Sequence, residues 1–103
     1  MSKKRQIIKA VIYDRKGRVL SIGHNSYVKT HPLQARHARA AGEPHRFFLH
    51  AEIHAIVKCK NLNRAAKIFV SRWDLQGRPQ LAKPCAVCQS AIKAAGIREI
   101  FHT

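Results

Sequence analysis

A histidine, a glutamate and two cysteines are the residues of this sequence whose types and spacing are best suited to chemistry. His50 and Glu52 flank a single alanine, and Cys85 and Cys88 follow Pro84 with two residues between them. One imidazole and two thiolates give a tetrahedral zinc ion three protein ligands and leave the fourth position to water, as in catalytic rather than structural zinc sites. The set therefore predicts a zinc site with hydrolytic chemistry.

Helix geometry restricts how these residues can meet. Cys85 and Cys88 are three residues apart and share one helix face, where the positive helix end favours thiolate over thiol. His50 and Glu52 are about 200° apart around an ideal helix, so they converge only at its first turn. We therefore expect two helix N-termini to face one point from the same side of a sheet.

The elements that would position these residues follow from hydrophobic patterning and turn residues. Apolar, β-prone runs predict a hairpin whose two strands cover 7–13 and 19–22. Two further strands are predicted over 67–71 and 97–101. Helices are predicted over 34–41, between Pro32 and Gly42, from His50 to about Cys59, and from Cys85 to about Ala95 before Gly96. In the second helix, Ile53, Ile56 and Val57 mark the expected core face. The segment 72–79 is predicted to be a loop near the metal.

The two motifs together carry a family resemblance. His-x-Glu followed by Pro-Cys-x-x-Cys resembles the signature of the zinc-dependent cytidine deaminase superfamily. Residues 84–100 are similar to the second half of the deoxycytidylate deaminase branch, in which a helix ends in Ala-Gly-Ile and leads into a short strand; residues 50–56 are similar too. The resemblance covers residues 7–103 and implies an α/β fold, a cytidine-deaminase-like three-layer sandwich with a mixed sheet, made of the N-terminal hairpin plus parallel strands, covered by helices.

The resemblance also implies roles for individual residues. Zinc would be held by His50, Cys85 and Cys88, and Glu52 would act as the general acid and base that converts a cytosine base to uracil with release of ammonia. Substrate contacts are expected from Asn25 and Ala51, from Lys29 and His31 toward a phosphate, and from Trp73 by stacking on a base. For Asn25 a turn role, for Lys29 and His31 a solvated loop, and for Trp73 packing against the loop remain open.

Two departures from the family pattern leave alternatives open. His54 stands where members of the branch commonly carry Asn, and it shares a helix face with His50, so a closed structural site with His54 as fourth ligand is a second hypothesis. Members usually continue beyond the final strand, whereas this sequence stops at Thr103. We therefore expect an exposed sheet edge or a face completed by another subunit, as in a homo-oligomer.

Charge and composition narrow the class of partner. The sequence has 103 residues, which fits a single domain, and 20 Lys and Arg against 5 Asp and Glu give a net charge of +15. Such a field attracts phosphorylated ligands and polyanions. The predicted partner is a cytosine-containing nucleotide or single-stranded nucleic acid. A deaminase of cytosine or adenine in single-stranded DNA or RNA and a non-catalytic zinc-stabilised nucleic-acid-binding module are the alternatives to a nucleotide enzyme.

Cysteine content and hydropathy indicate the cellular location. Three cysteines are too few for a disulfide framework, and a thiolate zinc site needs reduced sulfur, so a cytoplasmic protein is expected. No apolar run in the sequence is long enough to span a bilayer, and the first six residues lack the apolar stretch typical of a signal peptide. No membrane partner is therefore expected.

Overall fold

A computed structural model of the protein describes residues 7–26, 31–40, 42 and 50–103. The described residues form five strands and three α-helices in the order β1 (Ile7–Tyr13), β2 (Val19–His24), α1 (Pro32–Ala40), α2 (Ala51–Lys58), β3 (Lys67–Trp73), β4 (Pro79–Gln80), α3 (Ala86–Ala94) and β5 (Glu99–His102). A short 3-10 helix, Leu62–Arg64, precedes β3. Lys29 and Ala41 lie outside the described residues.

The strands form one mixed sheet. β1 is central and pairs antiparallel with β2 on one side and β3 on the other. Two strands pair with the other edge of β3: β5 runs parallel to Lys67–Val70, and β4 runs antiparallel to Arg72 and Trp73. The predicted hairpin, the parallel pairing of the last strands and the α/β fold class are confirmed.

Apolar side chains from the sheet, α2 and α3 form the core. Ala10, Ile12, Ile68 and Val70 face Ile53 and Ile56 of α2 and Val87, Ala91 and Ile92 of α3. Burying each large side chain of this kind contributes about 1.5–3 kcal/mol relative to leaving it exposed. α1 packs on α3 rather than on the sheet.

The prediction that Val57 belongs to the core face of α2 is wrong, since this side chain is 42% exposed. The buried residues of α2 are Ala51, Glu52, Ile53, Ala55 and Ile56. At about 100° per residue they span an arc of roughly 200°, centred on Glu52 and ending at Ile53. Val57 lies about 40° beyond Ile53, outside this arc.

The prediction of a loop over 72–79 is right for 74–78 and wrong at both ends, because the loop is the turn of a second hairpin. β3 continues through Trp73, and the chain reverses at Asp74–Arg78 into β4. Asp74 Oδ1 accepts hydrogen bonds from the backbone N–H groups of Gln76 and Arg78, and Gly77 adopts a φ of 81°. Asp14–Arg18 makes the same bonds at the β1–β2 turn, with Gly17 at a φ of 82°. Both turns carry the pattern Asp-x-x-Gly-Arg.

Candidate active site

The first side of the site is the N-terminus of α2. His50 is the residue that precedes the first helical turn, with extended backbone angles of −82° and 156°. Its backbone N–H donates a hydrogen bond of 3.2 Å to Oε1 of Gln34, a fully buried residue of α1. α1 therefore fixes the point at which the chain enters α2.

The second side is the N-terminus of α3. Cys85 occupies the capping position, with extended angles of −71° and 171°, and Cys88 lies in the first turn. Cys88 is buried and Cys85 is partly exposed. Both sulfurs point toward the start of α2, as the three-residue spacing predicts.

The two helix N-termini meet at the ring of His50. Its Nδ1 lies 3.1 Å from Sγ of Cys88 and 3.6 Å from Sγ of Cys85. The three candidate ligand atoms all lie within 4.8 Å of one another. In tetrahedral zinc with typical Zn–S and Zn–N bonds, a sulfur and a nitrogen ligand are about 3.6 Å apart. The cluster therefore fits zinc in both donor chemistry and spacing.

The two cysteines are electrostatically unequal. A hydrogen bond from the Cys88 thiol, together with the His50 ring, lowers the pKa of Cys85 to about 3, although partial burial acts in the opposite direction. The same hydrogen bond and burial raise the pKa of Cys88 well above its usual value. The difference between the two pKa values comes from the hydrogen bond between the sulfurs, and a metal bound by both thiolates would replace the thiol proton of that bond.

Glu52 is a carboxyl group held next to this cluster. It lies at the centre of the buried face of α2, is 5% exposed, and is within hydrogen-bonding reach of Cys88. Burial raises the pKa of the Glu52 carboxyl above its usual value, against the opposing effect of its own backbone N–H. A carboxyl group with a raised pKa can both accept and return a proton near neutral pH.

β2 holds α2 at the distance that the site requires. A Cβ atom placed on Gly23 would collide with the backbone O of Ala51 and N of Ala55, and would lie 2.8 Å from Cα of Ala55. The hydroxyl of Ser21 donates a 2.7 Å hydrogen bond to the carbonyl of Ala55. The absence of a side chain at Gly23 lets the first turns of α2 lie directly on the strand.

Comparison with known families agrees with this geometry. The sequence model of the family described as the cytidine and deoxycytidylate deaminase zinc-binding region matches residues 2–103. The chain belongs to this family. Among curated proteins no significant match is found. The predicted resemblance and the predicted zinc cofactor are thereby confirmed, and the protein is a zinc-dependent deaminase domain, a hydrolase by class.

In the part of this deaminase domain that the structure describes, the cluster contains three candidate zinc ligands: His50, Cys85 and Cys88. His54, the ligand of the closed-site hypothesis, is not one of them. Its Nδ1 lies 3.0 Å from the backbone N and 3.1 Å from the backbone O of His24. One helical turn separates His54 from His50, and this turn directs the His54 ring to the strand end rather than to the sulfurs. The geometry favours an open three-ligand site.

Of the residues expected to contact substrate, Asn25 and Trp73 lie beside the start of β1, against Ile8 and Ile7. Ala51 is buried and adjacent to the cluster. Asn25 accepts a 3.0 Å hydrogen bond from the backbone N–H of Ile8 through Oδ1, and its own N–H donates to the carbonyl of Ile8. Asn25 does not have a positive φ, so the left-handed turn conformation is absent there.

Two further candidates have structural partners of their own. Nδ1 of His31 accepts a 3.0 Å hydrogen bond from the N–H of Leu33 and so caps the start of α1. Trp73 ends β3, where it pairs in register with Ile7 and Pro79. Lys29 lies outside the described residues, and the substrate roles of these residues remain predictions.

Sequence reasoning missed two residues that position the site. Gln34 gave no signal, because a single glutamine in a short helix predicts nothing about a partner 16 positions away. Gly23 gave a weak signal, since an isolated glycine beside a strand often marks a close backbone approach. The predicted strand ends at Ile22, whereas β2 extends to His24 and includes Gly23.

Proposed function

We propose that this deaminase converts a cytosine base to uracil with release of ammonia, and that its substrate is a phosphorylated cytidine or deoxycytidine nucleotide. The observation that carries the proposal is the buried carboxyl of Glu52 beside a His50, Cys85 and Cys88 cluster at two facing helix N-termini. The family supports the base and the chemistry. The net charge of +15 favours a phosphorylated ligand over a free nucleoside.

In this mechanism each residue of the cluster has one task. Nδ1 of His50 and the two sulfurs are the protein ligands, and a bound zinc ion supplies the Lewis acidity that makes water acidic enough for activation near neutral pH. Glu52 would take one proton from the attacking water and deliver it to the ring nitrogen. It would then take the remaining proton of the newly added hydroxyl and pass it to the amino group, which leaves as ammonia while the carbonyl of uracil forms. The buried position of Glu52 keeps bulk water from competing for this proton.

A mass-spectrometric assay tests the proposal. The zinc-loaded protein is incubated with deoxycytidine, its mono- and triphosphates, and single-stranded DNA and RNA, and the conversion of cytosine to uracil is measured. We expect conversion of a phosphorylated nucleotide and a loss of about 10²–10⁴-fold in Glu52→Gln, with zinc content unchanged. Equal activity of Glu52→Gln and wild type would refute the catalytic assignment.

A second candidate function is deamination within single-stranded DNA or RNA, which the excess of 15 positive charges favours. The two functions differ in their response to salt. A polynucleotide enzyme makes several phosphate contacts and loses affinity steeply as salt rises, whereas a mononucleotide enzyme loses much less. Conversion only in polymers, with a steep salt dependence, would replace the first proposal by the second.

The third candidate, a non-catalytic zinc module, predicts no conversion of any substrate in the panel.

Cys59, Cys85 and Cys88 are free cysteines, which supports a reducing compartment such as the cytoplasm. No helix in the described part of the chain has the length and apolar character needed to cross a membrane.

A further inference from the structure

A basic groove lies at the end of the sheet opposite to the zinc cluster. It has a volume of about 790 Å³ and lies between the β1–β2 turn, the segment before β3 and the connection from α3 to β5. His54, one helical turn after His50, hydrogen-bonds His24, which pairs with Lys9 near the start of β1, whereas the groove begins at Asp14, just past the end of this strand. At about 3.4 Å per residue, roughly 17 Å of strand lies between Lys9 and Asp14. The groove is therefore distinct from the deaminase site.

The charges that line the groove are strongly unbalanced. Six cationic and two acidic side chains line it. Both acids are already neutralised, because Asp14 pairs with Arg18 at 2.8 Å and Glu99 pairs with Lys67 at 3.9 Å. Four exposed cations of the groove have no ion-pair partner among the described residues: Arg15, Lys16, Arg64 and Arg98.

Hydrogen bonds hold the three segments of the groove in place. Asp14 Oδ1 accepts from the backbone N–H groups of Lys16 and Arg18 and fixes the turn. The N–H of Ala66 donates to the carbonyl of Tyr13, and the N–H of Glu99 donates to the carbonyl of Ala66. The backbone that carries the four cations is thus ordered before any ligand arrives, which reduces the entropy cost of binding.

We propose that this groove binds the phosphodiester backbone of a nucleic acid. Three of its four unpaired cations are arginines, whose planar guanidinium groups bind phosphate oxygens in pairs. The lining contains no aromatic side chain on which a base could stack, so binding is through phosphates and independent of base sequence. Four cations spread over three segments fit successive phosphates of a polymer rather than one small anion.

The test is fluorescence anisotropy with a labelled deoxythymidine oligomer of about 20 nucleotides, longer than the sites of typical single-strand binding folds. Thymine carries no exocyclic amino group, so the probe measures the groove without deamination. The groove variant combines Arg15→Gln, Lys16→Gln, Arg64→Gln and Arg98→Gln. The matched control removes four exposed helix cations that do not line the groove: Arg36→Gln, Arg39→Gln, Lys58→Gln and Lys93→Gln.

Each phosphate contact to a single strand contributes about 0.7 to the slope of log affinity against log salt. We expect the groove variant to reduce this slope by about 2.8. Between about 0.05 and 0.2 M salt, wild type should therefore lose about 50-fold more affinity than the variant does. The control should keep most of the wild-type slope, and all proteins should show the same circular dichroism and zinc content.

Three results would overturn the proposal. An equal reduction of the salt slope in both quadruple variants would mean that the net charge attracts the probe diffusely. An unchanged slope in the groove variant would mean that the groove does not bind the probe. Displacement of the probe by tripolyphosphate as effectively, per phosphate, as by unlabelled oligomer would assign the groove to a small polyphosphate. If the quadruple variant misfolds, Arg15→Gln with Lys16→Gln alters only exposed turn side chains and should give about half of the slope change.

This inference does not depend on the proposed catalysis. The groove variant should deaminate a mononucleotide at the wild-type rate if the proposed function holds, and Glu52→Gln should bind the probe normally. Failure of one proposal therefore leaves the other measurable.

Discussion

Glu52 is a carboxylic acid at a helix position that faces the core. Its position at the centre of the buried arc of α2 would ordinarily call for an apolar side chain. A carboxyl group there carries a desolvation cost, and the same desolvation raises the pKa of Glu52. The feature that weakens the core at this point is thus the one that suits the residue to proton transfer.

Gln34 acts on His50 through a backbone hydrogen bond. In Gln34→Met the volume is nearly kept, but the partly buried N–H of His50 loses its acceptor. We expect a loss of about 1–3 kcal/mol in the free energy of unfolding and roughly tenfold weaker zinc binding. Urea unfolding and competition with a zinc chelator measure the two effects.

Arg36→Ala is the control for this substitution, since Arg36 is exposed on the same helix. It should change stability by less than about 0.5 kcal/mol. Zinc affinity equal to wild type in Gln34→Met would show that the hydrogen bond does not position His50.

At the scale of elements, the close approach of β2 and α2 determines where the site can form. Gly23→Ala places a methyl group against the backbone of α2, so the helix that carries His50 and Glu52 must shift. We expect a destabilisation of about 1–3 kcal/mol or more, together with reduced zinc content. Denaturant unfolding and metal analysis of the purified protein are the measurements.

Gly17→Ala is the matched control, because it also adds one methyl group but has nothing within 4 Å and lies at the other end of the sheet. Its positive φ of 82° makes alanine unfavourable, so stability should fall. Zinc content should stay at the wild-type level. A parallel loss of zinc in both variants would mean that general destabilisation, rather than the position of α2, controls the site.

The two hairpin turns predict a pH dependence of stability. In the folded state the pKa of Asp14 is lowered by hydrogen bonds from Arg18, first from its backbone N–H and then from its guanidinium group. Arg78 lowers the pKa of Asp74 in the same way. A lowered folded pKa means that the stabilisation is fully present above the unfolded pKa, about 4, and is lost as pH falls through the folded value. The stability of wild type should therefore fall on acidification by more than that of Asp14→Asn with Asp74→Asn.

The comparison is made by urea unfolding of both proteins at matched pH values from neutral to strongly acidic. Loss of zinc at low pH affects both equally, so the difference between them reports the two turns. A difference that stays constant across the acidic range would show that these aspartates do not titrate in a shifted environment.

Local sequence signals predicted the parts of this fold that depend on local chemistry. Pro32, Gly42 and Gly96 marked helix ends correctly, and the spacing of Cys85 and Cys88 correctly placed both sulfurs at one helix start. The second hairpin escaped prediction although Asp74–Arg78 repeats the pattern of Asp14–Arg18, since β4 is only two residues long. The exposure of Val57 and the partner of Gln34 depend on how the helices pack against other elements, which periodicity alone does not specify.

At the scale of the whole molecule, the two ends of the sheet differ in chemistry. One end gathers the starts of α2 and α3 around the candidate zinc ligands, and the other carries the basic groove. β5 is exposed along its length, and Phe69 and Phe101, neighbours on β3 and β5, are 38% and 48% exposed. These exposed aromatics are a natural place to test the predicted homo-oligomer, which stays a prediction.

Zinc should also stabilise the fold, because it connects the first turns of two helices in a chain of 103 residues. A domain of this size buries only about two-thirds of its unfolded surface, so a metal that binds the native state alone has a large relative effect. Each tenfold rise in free zinc above the dissociation constant should add about 1.4 kcal/mol to the free energy of unfolding. Urea unfolding at buffered zinc concentrations measures this dependence of the free energy of unfolding on the logarithm of free zinc.

Three variants test where the stabilising zinc binds. Cys88→Ser should abolish the slope of unfolding free energy against log zinc. Cys59→Ser, outside the cluster, and Glu52→Gln should retain it. A slope that persists in Cys88→Ser would place the stabilising metal elsewhere, whereas its loss there and retention in Glu52→Gln would separate metal binding from proton transfer within a single site.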